Sequence, residues 1–174
     1  MTIDKNRHFT YLALLSAMAI VLNLVESIYI GPIIGVLRLG LANIVALITI
    51  RLLGVKDMII VNIMRVVIGN LLRGTIFGST FWISAGGVVL SSLVLILLDR
   101  LNSSLMFTSV MMSIAHSVGQ VFVVMLFYMQ PGIAVLLPYL LLGSIPTGIL
   151  TGYVAGLVLK RIKPLRIKLK KNTD

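Results

Sequence analysis

Residues 106–129 read MFTSVMMSIAHSVGQVFVVMLFYM, 24 positions without an Asp, Glu, Lys or Arg. At 1.5 Å per residue, a helix of that length runs about 36 Å, enough to cross the roughly 30 Å hydrocarbon core of a bilayer. Within it, Ser113, His116 and Gln120 follow i, i+3, i+7 and share one helical face. Polar groups at membrane depth cost free energy unless they meet a partner or a wet cavity, so this face is expected to turn away from lipid.

The same reading extends outward to six apolar segments, at about 10–30, 39–54, 58–77, 81–98, 106–129 and 133–159. The second is short, about 24 Å as a helix. Pro138 and Pro146 are expected to bend the last segment or delay its start. Hydrophobic residues make up 59% of the 174 positions and charged ones 11%, against about 25% charged in soluble domains, so lipid must replace water as the main solvent. Ala17-Met18-Ala19 imitates a signal-peptidase site, but the apolar pattern continues along the chain and favours a first membrane helix over a removed leader.

Basic residues set the expected topology. Lys5, Arg7, Arg51, Lys56, Arg100 and the tail fall on one side of the membrane; the opposite connections hold only Arg73. The positive-inside bias then predicts an all-α integral membrane protein, a bundle of six transmembrane helices with both termini cytoplasmic. Its layout would be a short N-terminus (1–9), a membrane domain (10–159) and a basic cytoplasmic tail (160–174). The net charge of +10 is concentrated there, with Lys160, Arg161, Lys163, Arg166, Lys168, Lys170 and Lys171 in the last fifteen positions. Such a run beside an apolar helix is expected to attract anionic lipid; no recognition fold is present to direct it at nucleic acid.

The remaining polar residues inside the membrane form stripes. Asn23 and Glu26 are three apart on the first segment, and Asn62, Arg65, Gly69 and Arg73 follow i, i+3, i+7, i+11 on the third. Under the expected topology Glu26, Arg38, Asn43, Asn70, Arg73 and Gln120 fall in the external half, with Arg65 and His116 nearer the middle. A polar cavity open outward and closed by an apolar cytoplasmic half accommodates all of them. Arg38, Arg65 and Arg73 against Glu26 alone leave positive charge for a small anionic ligand, which arginine's planar fork suits. Each residue also has a structural alternative: an Arg65–Glu26 ion pair, Arg38 and Arg73 reaching headgroups, Asn43 and Asn70 bridging helices, and His116 bonded in the core. With no second His and no Cys near His116, no metal site is expected, and no cofactor. Gly148, Gly152 and Gly156 make a small-residue seam suited to packing within the monomer.

The motifs LRLGLANI (37–44), RVVIGNLLRG (65–74), SAGG (84–87), AHSVGQ (115–120) and LPYLLLGSIPTG (137–148) resemble the Gx transporter family, whose members are often labelled heptaprenyl diphosphate synthase component I. The resemblance runs from about residue 10 to 157 and leaves the tail outside. That family is similar to the substrate-binding S components of energy-coupling factor importers. This implies a six-helix, S-component-like bundle with an external pocket, partnered by a membrane coupling subunit and cytoplasmic ATPases. In S components, alanines four apart on the first helix meet the coupling subunit, and Ala13 and Ala17 match that spacing.

The synthase label meets a chemical obstacle. Prenyl elongation needs clustered aspartates to hold magnesium on diphosphate, whereas Asp4, Asp57, Asp99 and Asp174 are isolated in sequence. The chain is therefore expected not to be an enzyme, and without a Walker A pattern any ATP hydrolysis falls to a partner. The reading is a membrane subunit binding an anionic vitamin, flavin or prenyl phosphate through Glu26, Arg38, Asn43, Arg65, Asn70, Arg73, His116 and Gln120. The alternative is a non-catalytic membrane accessory of a polyprenyl diphosphate synthase or of a flavin- or quinone-dependent electron-transfer complex. A proton-coupled carrier is weaker, because Glu26 is the only intramembrane carboxylate.

Overall fold

The computed structural model describes residues 2–30 and 41–171, with side chains described over 6–29 and 41–162. Six α-helices and no strand occur among them: α1 (Thr2–Val25), α2 (Asn43–Leu52), α3 (Val55–Leu72), α4 (Ser79–Arg100), α5 (Leu105–Tyr128) and α6 (Leu137–Lys171). A π-helical turn, Glu26–Ile30, extends α1, and a 3-10 turn, Pro131–Leu136, precedes α6. Four stretches are long and apolar enough to cross a membrane: Asn6–Tyr29, Ser79–Arg100, Leu105–Tyr128 and Pro131–Ile162.

The six expected segments each become a helix, with informative differences at the ends. Helix α1 starts well before residue 10, because hydropathy marks a span rather than a helix. Its polar first turns carry His8, whose Nε2 lies 2.9 Å from Asp57 Oδ2 at the start of α3. Helix α3 stops at Leu72 instead of running to 77. Gly74 takes φ +66°, and the Gly74 and Thr75 amides donate back to the Leu71 and Asn70 carbonyls, both at 3.0 Å. That is a Schellman closure, which a left-handed glycine permits at little cost. Helix α6 begins at Leu137, so Pro138 sits in its first turn, where the missing amide is harmless. Pro146 does not interrupt the helix, which continues past it.

Helix α2 departs most from a spanning segment. Its ten residues make about 15 Å, half of a hydrocarbon core. Asn43 and every residue from Val45 to Ile50 are buried. A helix apolar all round must be enclosed on all sides, and α2 packs against each of α1, α3, α4, α5 and α6. Val45 to Ile50, apart from Thr49, join Leu15 and Ala19 of α1, Met58 and Val61 of α3, Leu95, Met112, Ala155 and Leu159 in one continuous core. The start of α1 and the distal part of α6 therefore share one end with the α2–α3 turn. Arg51, Lys56, Arg100 and Lys160 lie there, and it is called the basic end below.

The outer surface is inverted relative to a water-soluble protein. Val21, Ile63, Leu71, Val89, Leu93, Leu97, Phe122, Leu126, Leu142 and Ile149 are exposed, whereas Asn, Arg, Glu, His and Gln side chains are buried. Phe77, Trp82, Phe127, Tyr128 and Tyr139 are exposed near the end opposite the basic one, forming the aromatic girdle of a membrane interface. An apolar belt flanked by aromatic and basic ends, with four helices long enough to span, is compatible with a multi-pass membrane protein.

Helices α4, α5 and α6 pack side by side. A Cβ on Gly119 of α5 would lie 2.6 Å from the Gly86 carbonyl oxygen and 3.1 Å from Gly87 Cα, so only glycine permits the α4–α5 crossing. The glycine seam of α6 is used inside the monomer: Gly148 meets Val110 and Ser113, and Gly152 meets Ser109 and Met106. Hydroxyl pairs Ser109–Thr151 (2.8 Å) and Ser117–Ser144 fasten the same face.

Candidate functional site

Polar groups gather where α2 ends. Because α2 is only ten residues long, its first residue, Asn43, lies beside Arg65 in the middle of α3. Arg65 Nη2 donates to Asn43 Oδ1 at 3.0 Å. Arg65 is 1% exposed, and its Nε and Nη1 have no hydrogen-bond partner among the described residues. Buried guanidinium donors without acceptors are costly and demand an explanation.

Helix α1 supplies the opposing wall. Asn23 and Glu26 are both buried, and Glu26 lies within electrostatic range of Arg65. Asn23 packs on Gly69: a Cβ there would come 2.9 Å from Asn23 Oδ1, so the glycine admits the side chain between α1 and α3. Glu26 opens the π-helical turn. Such turns, which widen a helix by one residue, are frequent at functional positions.

Further along α3, Arg73 is half-buried and turned back on its own helix end. Its Nε donates to the Gly69 carbonyl at 3.0 Å and its Nη2 to Asn70 Oδ1 at 2.6 Å. Asn70 in turn donates from Nδ2 to the Val66 carbonyl at 2.6 Å. Arg73 thus spends two donors locally, unlike Arg65. Arg38 lies outside the described residues.

His116 and Gln120 are buried one turn apart on α5, their Nε2 atoms 3.1 Å from one another. They lie over Gly87 of α4, where a Cβ would come 2.8 Å from Gln120 Cγ and 2.9 Å from His116 Cε1. SAGG and AHSVGQ are therefore two halves of one contact: the glycines bring α4 close, and the polar pair occupies the space a side chain would take.

Three further buried polar residues, Asn23, Asn62 and Ser84, were not among the expected ligand contacts. Asn23 was signalled by its spacing to Glu26, and Asn62 by its place on the α3 stripe. Asn62 Nδ2 donates to Ser92 Oγ at 2.8 Å and bridges α3 to α4. Ser84, buried on α4, carried no signal beyond its motif. No group of three or more His, Cys, Asp or Glu is placed to hold a metal among the described residues. Asp57 and Asp99 both lie at the basic end, each beside a basic partner: His8, and Arg51 at 3.3 Å.

Ala13 and Ala17 are exposed on α1. They line a shallow groove of about 260 Å³ with Leu12, Ser16, Ile60 and Met64, between α1 and α3.

A sequence model of the family described as heptaprenyl diphosphate synthase component I matches residues 15–158. The match runs from within α1 to the distal part of α6, well over half of the chain, and the chain belongs to that family. No curated protein and no solved structure matches it.

Proposed function

We propose that this member of the heptaprenyl diphosphate synthase component I family is the substrate-binding membrane subunit of an energy-coupling-factor-type importer. Its ligand would be a small anion with an apolar body. The observation that carries this reading is Arg65: fully enclosed, one donor on Asn43 and two nitrogens without hydrogen-bond partners. A carboxylate or phosphate matches a guanidinium fork better than any neutral group does. Glu26 orients the guanidinium, and Asn43, Asn70, His116 and Gln120 provide the polar contacts that select the rest of the ligand. Arg73, and Arg38, would complete the anion's surroundings from the external side. Helix α2 closes the path toward the cytoplasm, so transport would require the bundle to move against a coupling subunit. Ala13 and Ala17 offer that subunit a smooth, side-chain-poor contact, and cytoplasmic ATPases supply the energy.

The test is mass spectrometry of small molecules extracted from the purified protein. An anionic compound is expected with the native chain and absent after combined Arg65→Ala and Arg73→Ala substitution; equal retention by both would end the anion-site reading.

The family's name favours a second reading, in which the chain is a non-catalytic membrane accessory of a polyprenyl diphosphate synthase. Its own carboxylates offer no clustered pair for magnesium diphosphate, so elongation would occur on the partner. Co-purification separates the two: ATPase subunits accompany an importer component, a soluble synthase accompanies an accessory.

A further inference from the structure

A second cationic site lies at the basic end, distant from Arg65. A pocket of about 460 Å³ is lined by Arg51 from α2, Ser103 and Leu105 at the start of α5, and Gly156, Leu159 and Lys160 from α6. We propose that it holds a phosphate group, supplied by the headgroup of an anionic lipid or by free phosphate.

The pocket arises from the way α6 leaves α5. At Gly148 and Gly152 the helices touch so closely that a Cβ would come within 2.7 and 2.9 Å of α5 atoms. At Gly156 the nearest atom to such a Cβ is Leu105 Cδ2, at 3.6 Å, an ordinary contact. The seam opens there, one turn before the first basic residue of α6. Arg51 is held in place at the C-terminal end of α2, with Nε 3.3 Å from Asp99 Oδ1 and Nη2 donating to the Ser103 carbonyl at 3.2 Å. Asp99 offsets one positive charge. Lys160 has no carboxylate paired with it among the described residues, so the pocket keeps an excess cation. The amino end of α5 adds partial positive charge on the same side. Leu105 and Leu159 give the pocket an apolar flank at the level where acyl chains begin. A basic hollow between helices at headgroup depth is how membrane proteins retain phospholipid headgroups. This site is independent of the importer and accessory readings, since neither uses these residues.

The experiment measures retention of phosphatidylglycerol and phosphatidylcholine by the full chain in neutral detergent, using native mass spectrometry. It is repeated for Lys160→Gln and Gly156→Leu. The first removes a charge at an exposed position; the second fills the hollow while leaving every charge, including those of the tail, in place. Phosphatidylglycerol is expected to be retained selectively and weakened roughly fivefold by Lys160→Gln, the usual worth of one interfacial basic residue. Gly156→Leu should weaken it at least as much. If inorganic phosphate displaces the lipid with the same dependence on both variants, the site stands and free phosphate is an equal source. Retention unchanged by both substitutions would mean diffuse attraction to the basic tail and would overturn the proposal.

Discussion

Along the depth of the bundle, the half around α2 and the half beyond its first residue differ in the charged and amide side chains they enclose. Toward the basic end, Val45, Leu47, Ile48, Met58, Leu95 and Met112 form a continuous hydrocarbon core. Beyond Asn43, buried Glu26, Arg65, Asn70, His116 and Gln120 lie in the same half as a smaller apolar cluster of Ile83, Val121, Val124 and Leu140. Both halves face the same lipid outside, so the surroundings do not impose the difference. A membrane protein gains little from moving leucine out of lipid and into its core, and here packing rather than hydrophobicity secures the basic half. The other half loses stability by enclosing ionised groups. Such a layer persists where it does something besides hold the fold, and the contrast yields perturbations whose effects should differ in kind.

The largest effect should come from introducing into the apolar half what the polar half already contains. Leu47→Asp places a carboxylate in the middle of α2, at a site 1% exposed and surrounded by hydrocarbon. Without a partner, the group must be neutralised or the helix expelled, at a cost of several kcal/mol. Loss of the monodisperse peak in size-exclusion chromatography is expected. A folded Leu47→Asp protein would mean that α2 is wetter than its burial states.

Next in size is the α4–α5 crossing. Gly119→Ala puts a methyl group against the Gly86 backbone, where no side chain can yield, so the helices must separate. Overpacking of this kind costs about 1–3 kcal/mol. The melting temperature in detergent should fall by several degrees. His116 and Gln120, which rely on the same approach of α4, should lose ligand contacts with it; a drop in stability without a drop in retention would separate packing from site.

Arg65→Lys sharpens the comparison further, because it keeps the charge near Glu26 and removes the planar fork. If Arg65 serves the ligand, stability should change by less than about 1 kcal/mol while anion retention falls at least tenfold, the loss of one charge-assisted bond. If it serves the fold alone, the two should fall together. Thermal melting and ligand retention on the same preparations decide it.

These distinctions were unevenly legible in the sequence. The stripe through Asn62, Arg65 and Gly69 and the pairing of His116 with Gln120 follow from helical period, and the structure buries each of them. The apolar basic half was readable too, as a run from Ile44 to Ile50 interrupted only by Thr49. What escaped was everything set by where a helix stops. The stretch 39–54 is mostly apolar, broken by Asn43, Thr49 and Arg51, and composition does not mark Asn43 as the start of a half-length helix, so the Arg65–Asn43 bond, 22 residues apart, had no local trace. The end of α3 did have one: Gly74 following Arg73 is a C-terminal glycine, but its signal was masked by the apolar residues beyond it. Ion pairs joining residues some 50 positions apart, such as His8 with Asp57, depend on helix register and had no sequence pattern at all.

That pair supplies the smallest expected effect and a control for the rest. The His8 side chain is half exposed while Asp57 is largely enclosed, so water reaches the pair from the His8 side and screens part of what the two gain from each other. Exposed pairs contribute about 0–1 kcal/mol. His8→Ala should therefore shift the melting temperature by no more than a degree or two and leave anion retention untouched, because it lies at the far end of α1 from Glu26. A large loss would show that the α1–α3 contact at the basic end, beside the groove lined by Ala13 and Ala17, holds the polar layer together from a distance. In that case the two halves of the bundle would be mechanically coupled, and the retention losses at Gly119 and Arg65 would have to be reinterpreted as consequences of α1 moving.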